Sequence, residues 1–206
     1  MEFRNWIDIK EKLHRKLEEI FNNQNINELS KYEKRKIVFD FLVNTLKYDF
    51  DLLEDIKKGN TKRDLVSELN SVIDNNIGIC NAISQYYKLL LEELDIRAHA
   101  IICDDGTDVN HQLNIVYDED NDIYSFDDIT SVIVGRGSSN TFFDYDLEIA
   151  NKQGQGNKEV LNDDKWVVLP EEYTDFLVNR SKSKYEDLNG LPSNISSVKQ
   201  KSEYHY

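Results

Sequence analysis

Apolar positions recur at the helical period through the first half of the chain. Phe3, Trp6, Ile9, Leu13, Leu17 and Ile20 form one stripe across residues 3–21, and Asn22-Asn23-Gln24-Asn25 ends it. Ser30 and Glu33 have the spacing of a capping box, which opens a second predicted helix through Ile37, Phe41, Leu42 and Leu46. A third is predicted from Thr61-Lys62-Arg63-Asp64 through Leu65, Leu69, Val72 and Ile73, and Asp74-Asn75-Asn76 breaks it. The fourth follows Gly78. In it Ile83, Tyr87, Leu90 and Leu94 line a core face, while Gln85, Lys88, Glu92 and Glu93 are expected in water.

After Ile96 the period shortens. Ala98 to Cys103 is an apolar run closed by the turn signal Asp104-Asp105-Gly106. His111, Leu113, Ile115 and Tyr117 alternate with Gln112, Asn114 and Val116, as the two faces of a strand do, and residues 123–127 return beside it. Helices followed by antiparallel strands predict an α+β protein, its helical N-terminal half packed on an antiparallel sheet. Further on, residues 153–157 (Gln-Gly-Gln-Gly-Asn) read as a loop and Trp166-Val167-Val168-Leu169 as a strand. Pro170-Glu171-Glu172 opens a helix toward Arg180, and residues 181–206 read as a poorly ordered tail.

Charge and cysteine usage narrow the classes. A net charge of −14 over 206 residues argues against nucleic acid and anionic membrane surfaces as partners. No secretion leader or membrane span is read, so the expected compartment is the reducing cytoplasm, where Cys80 stays a free thiol. Cys103 closes an apolar run and reads as a small buried hydrophobe, and His99 as a partly buried, satisfied histidine. His14 and His205 read as incidental. The acidic run of residues 118–122 lacks the glycine and terminal glutamate of a calcium loop and reads as a hairpin tip. Gly135-Arg136-Gly137 reads as a turn.

Cys80 carries the candidate chemistry. A thiol in the first turn of a helix meets unsatisfied N–H groups and the positive end of the dipole, which favour the thiolate. If a three-residue tip pairs Tyr117 with Asn121, His111 lies opposite Asp127. Opposed residues hold their Cβ atoms about 4.5–5.5 Å apart, within reach of an imidazole–carboxylate hydrogen bond. A different tip length brings Asp128 into reach, or neither acid. Thiol, imidazole and carboxylate then form a nucleophile, a general acid–base and a group that orients the ring, with the Cys80 N–H as one oxyanion donor.

Residues 44–131 resemble the core of the transglutaminase-like superfamily, papain-like cysteine enzymes, in a bacterial-type form. Gly78-Ile79-Cys80 with its helix looks like the nucleophile segment. His111-Gln112-Leu113-Asn114 is similar to the histidine strand, and Tyr124-Ser125-Phe126-Asp127-Asp128-Ile129-Thr130 to the aspartate segment. Lys47-Tyr48-Asp49 resembles a stretch that precedes the nucleophile in bacterial members. Leu113 and Asp128 replace the family's usual tryptophan and proline, and Asn81-Ala82-Ile83-Ser84 stands where Gly-Tyr-Ala is common. The resemblance implies catalytic Cys80, His111 and Asp127, with Tyr48 and Asn114 as oxyanion or substrate candidates. It implies acyl transfer or amide hydrolysis through a Cys80 thioester on a protein or peptide substrate, with no metal or organic cofactor. A catalytically silent protein-binding module is the alternative. The expected organisation is a helical extension (1–43), the catalytic core (44–131), an extension packed on it (132–180) and the tail (181–206). The aromatic stretch Phe142-Phe143-Asp144-Tyr145 suggests a cover over the site.

Overall fold

The computed structural model describes residues 2–22, 24–62, 64–103, 111–119 and 123–144. The predicted strand at 166–169, the helix from Pro170, the tail, the loop at 153–157, Tyr145 and His205 lie outside them, as does the side chain of Cys103. In chain order the elements are α1 (Glu2–Ile20), α2 (Lys31–Thr45), β1 (Lys47–Tyr48), α3 (Phe50–Lys57) and α4 (Leu65–Asn75). They continue with β2 (Ile77–Gly78), α5 (Cys80–Glu93), β3 (Ala98–Cys103), β4 (His111–Asp118), β5 (Ile123–Asp127), α6 (Ile129–Ile133) and α7 (Ser139–Phe142).

Helix α5 is the axis of the molecule, with α1, α2 and α4 packed around it and strands β3 and β4 against it. Ala82, Ile83, Tyr86, Tyr87, Leu90 and Leu91 are all essentially excluded from solvent. So are Gln85 and Lys88, contrary to the amphipathic expectation. Enclosure on several sides leaves this helix no watered face over its first two turns. Lys88 meets its burial by donating to Glu92 at 2.6 Å. The capping box forms as the sequence predicts, with Ser30 capping α2 and Glu33 returning to the Ser30 N–H at 2.8 Å. Helix α3 has no counterpart in the apolar pattern. Asp49 starts it by accepting from the Leu52 N–H at 2.9 Å.

Two small features position Cys80. Asn76 ends α4 in the left-handed conformation, φ 56°. The chain then runs as β2 parallel to β1, pairing Tyr48 with Gly78, two residues before Cys80. A Cβ on Gly78 would lie 3.3 Å from the Val72 side chain, so the glycine lets this strand approach α4.

Strands β3, β4 and β5 form an antiparallel sheet in that order, which makes the protein α+β. The register of the β4–β5 hairpin corrects the expectation. Tyr117 pairs with Tyr124 and Asn114 with Asp127, a displacement of three residues from the predicted Tyr117–Asn121 pairing. Side chains alternate faces with period two, so an odd displacement turns each carboxylate to the other side of the sheet. The His111–Asp127 pair is therefore not formed. An entirely polar tip has no apolar residue to fix its length, so the sequence pattern leaves the register open.

The segment after β5 fastens this region. Asp128 N–H donates to Phe142 O, and Asp144 N–H to Asp127 Oδ1, each at 2.9 Å. Phe143 packs edge-on against Phe39 at 5.1 Å and Tyr32 at 5.6 Å. The described part of the 142–145 stretch thus docks on α2 instead of covering Cys80.

Candidate functional site

Cys80 opens α5, and its N-cap, Ile79, supplies no side-chain bond to the first turn. The residue as a whole is partly exposed, and its thiol is free. Three groups converge on it. His111, the Gln112 backbone and the Tyr48 side chain lie beside the sulfur and favour its ionised form. The Cys80 backbone N–H in turn lies on the side of the Tyr48 phenol. Burial pushes the thiol pKa up, but His111, Gln112 and Tyr48 outweigh it and hold the thiol below its ordinary value. Burial and the adjacent sulfur raise the Tyr48 phenol well above its ordinary range.

His111 reaches Asp128, with Nε2 2.8 Å from Oδ2, which leaves its other ring nitrogen for the sulfur. Burial alone would lower the imidazole pKa. The Asp128 charge and hydrogen bond, then the sulfur, reverse this and bring it up to about 10. Asp128 is buried, yet His111 and Ser131 hold its carboxyl below the usual range. It is also the N-cap of α6, accepting from Ser131 N–H at 2.9 Å and Ser131 Oγ at 2.6 Å. One carboxylate thus starts a helix and orients the imidazole.

Asp127 has a different task. The Arg35 guanidinium grips it through Nε at 2.7 Å and NH2 at 2.6 Å, and Tyr87 O–H donates to it at 2.7 Å. Arg35 also reaches Asp144 at 2.9 Å and lies over the Phe143 ring. Arg35 and Asp127 are both almost completely buried. This ion pair ties α2 and α5 to the end of β5, one residue from the carboxylate that holds His111. Asn114 is placed away from the sulfur. Its amide donates to Ser84 O at 3.0 Å, and Ser84 Oγ donates to Gln112 O at 2.9 Å, which clamps β4 to α5.

The apolar pattern did not single out Arg35, although it shares the buried side of α2 with Val38, Phe39 and Leu42 at helical spacing. An arginine within such a stripe is the signal for a buried carboxylate partner. Asp128 and Ser131 likewise have N-cap spacing. Gln112, whose backbone serves the site, carries no side-chain signal. His99 is buried as expected, but its Nε2 has no hydrogen-bond partner among the described residues. Burial, then Lys88 and Arg97, lower its pKa to about 4, so it is a neutral core residue. His14 bonds Glu93 at 2.7 Å on the surface. Among the described residues no group of three or more His, Cys, Asp or Glu is placed to hold a metal ion. Among the same residues, no helix is long and apolar enough to cross a membrane.

No protein-family model matches the chain, and no curated protein matches it. A solved structure described as a TGase is similar in fold, with a TM-score of 0.52 at 17% sequence identity. The likeness covers 63% of this chain and 33% of that one, so the chain spans about a third of the length of the structure it matches. The fold is transglutaminase-like.

Proposed function

We propose that the protein is a cysteine enzyme that transfers or hydrolyses amide-linked acyl groups, with Cys80 as nucleophile, His111 as acid–base and Asp128 as the acid that orients the ring. The hydrogen bond between Asp128 and His111, with the imidazole beside the Cys80 sulfur and lowering its pKa, supports this reading. The thiolate attacks the amide carbonyl, forming a C–S bond and moving the carbonyl electron pair onto oxygen. The Cys80 N–H and the Tyr48 O–H, both already beside the sulfur, are the candidate donors to that oxyanion. The imidazolium protonates the leaving nitrogen, the C–N bond breaks, and a thioester remains. His111 then takes a proton from water or an amine, which attacks the thioester and returns the sulfur. Water completes hydrolysis, and a primary amine completes cross-linking.

Asp127, the acid implied by the family resemblance, is replaced in this role by Asp128, and Asn114 by no other residue. The Phe50 ring lies edge-on to Tyr48 at 4.9 Å and is 60% exposed, which gives a peptide an apolar surface next to the sulfur. The test is the pH dependence of iodoacetamide alkylation at Cys80 in the wild type and in His111→Ala. The expected wild-type profile has a midpoint well below the ordinary thiol value of about 8.5, and the histidine substitution restores that value. An ordinary midpoint in both proteins rejects the enzyme reading in favour of a silent binding module.

A further inference from the structure

Two helices of the site begin at the same level. Strands β1 and β2 pair in parallel, Lys47 with Ile77 and Tyr48 with Gly78, and the Asp49 N–H donates to Gly78 O at 2.9 Å. Carried two residues further, that register sets Phe50, the first residue of α3, beside Cys80, the first residue of α5. Strand positions repeat with period two and paired residues share a face, so Phe50 leaves β1 on the side from which Cys80 leaves β2. The backbone around Phe50 is held from both directions. The Asp49 carboxylate accepts from the Leu52 N–H at 2.9 Å, and the Leu53 N–H donates to Asp49 O at 3.2 Å.

The fold gives this position no reason to be aromatic. No residue of α3 is buried, and Phe50 is the most exposed of the large apolar side chains among the described residues, ahead of Ile7 and Tyr32. A first helical turn is better served by proline or an acid, as the neighbouring Asp51 illustrates. The Tyr48 ring meets the Phe50 ring edge-on, with centroids 4.9 Å apart and planes at 61°. A single exposed apolar side chain is ordinary on a protein surface. This one adjoins the candidate nucleophile both through the strand register and through the ring of Tyr48.

We propose that Phe50 is a specificity-determining residue that favours acyl donors with an apolar side chain beside the reacting amide. This rests on the reading of Cys80 as the nucleophile and names the class of donor it takes. A ring held against Tyr48 and open to solvent offers an apolar group burial and, where that group is aromatic, a ring contact. A donor with a polar group at the same place gains neither.

Two reagents that alkylate the same sulfur and differ in apolar surface test it on the full chain, with the product read at Cys80 by peptide mass. Iodoacetamide carries the bare amide, whereas N-benzyliodoacetamide adds a benzyl group on the amide nitrogen. In both, the sulfur electron pair forms the S–C bond as iodide leaves. The ratio of the benzyl rate to the parent rate cancels any change in the thiolate itself. In Phe50→Ser this ratio is expected to fall about three- to tenfold, the size of an aromatic contact. Phe50→Trp recovers most of it and Phe50→Leu a part. Ile7→Ser, which removes an exposed apolar side chain of α1, leaves the ratio as in the wild type. A ratio unchanged in both Phe50→Ser and Phe50→Leu overturns the proposal, including the case in which both rates fall alike, since Phe50 would then act only on the thiolate. An equal fall in Ile7→Ser overturns it too. If Cys80 proves to be an ordinary thiol, the ratio is still measurable at about pH 9, where such a thiol is ionised. A failure of the nucleophile reading is thus separable from a failure of the Phe50 proposal.

Discussion

Asp127 and Asp128 are chemically identical neighbours with opposite duties, and substitution separates them. In Asp128→Asn the imidazole loses the charge that raises its pKa, so the thiol reverts toward ordinary behaviour. Iodoacetamide alkylation at pH 7 is expected to slow at least about tenfold, as one pKa unit of thiolate stabilisation implies. In Asp127→Asn the guanidinium of Arg35 is left buried opposite a neutral amide. Breaking such a pair costs about 3–5 kcal/mol, to be read as a lowered midpoint in urea. Where the folded state persists, its alkylation profile stays close to that of the wild type. The sequence brought Cys80 and His111 forward as partners, because a helix start and an alternating strand are local patterns. It did not fix the acid. That choice depends on a hairpin register set by the length of an all-polar tip.

The elements were legible wherever one side meets the core and the other meets water. The α1, α2 and α4 stripes, the Ser30 cap and the three long strands follow from period and capping alone. Helix α5 was found, but its surroundings were not. Gln85 and Lys88 sit where a two-sided pattern puts water, and only tertiary packing encloses them. The β1–β2 pair escapes periodicity because two residues have no period, yet it carries Tyr48 to Cys80. Its most sensitive position is Gly78. Gly78→Ala places a methyl 3.3 Å from Val72, which must yield by a few tenths of an ångström. Overpacking of this kind costs about 1–3 kcal/mol. The expected signature is a rise in the Cys80 alkylation midpoint along with the loss of stability, because the strand that aligns Tyr48 is displaced.

For the molecule as a whole, the site predicts the shape of the stability–pH curve. His111, raised to about 10, stabilises the fold fully below its unfolded value of about 6.5, and this is lost as pH rises to about 10. Cys80, held below its ordinary value, stabilises fully above about 8.5, and this is lost as pH falls through its folded value. Once the sulfur is ionised and while the imidazole stays protonated, the two slopes cancel up to about pH 8.5. Stability declines from there to about pH 10 as the imidazolium gives up its proton. Urea midpoints across that range should trace a plateau and a fall. Cys80→Ser removes the compensating slope, so its stability should already be falling at pH 7.

The adjacency of Asp127 and Asp128 has a consequence for the life history of the chain. One peptide bond joins the clamp on Arg35 to the carboxylate that directs the imidazole, and Arg35 is 92 residues from Asp127. A chain still emerging, or one partly unravelled, carries only an ordinary thiol. The groups that lower the thiol pKa gather around the sulfur only once contacts between distant parts of the chain, such as this one, have closed. An unfolded copy is therefore expected to be alkylated at the rate of an ordinary thiol, and the folded one at the rate its gathered neighbours set.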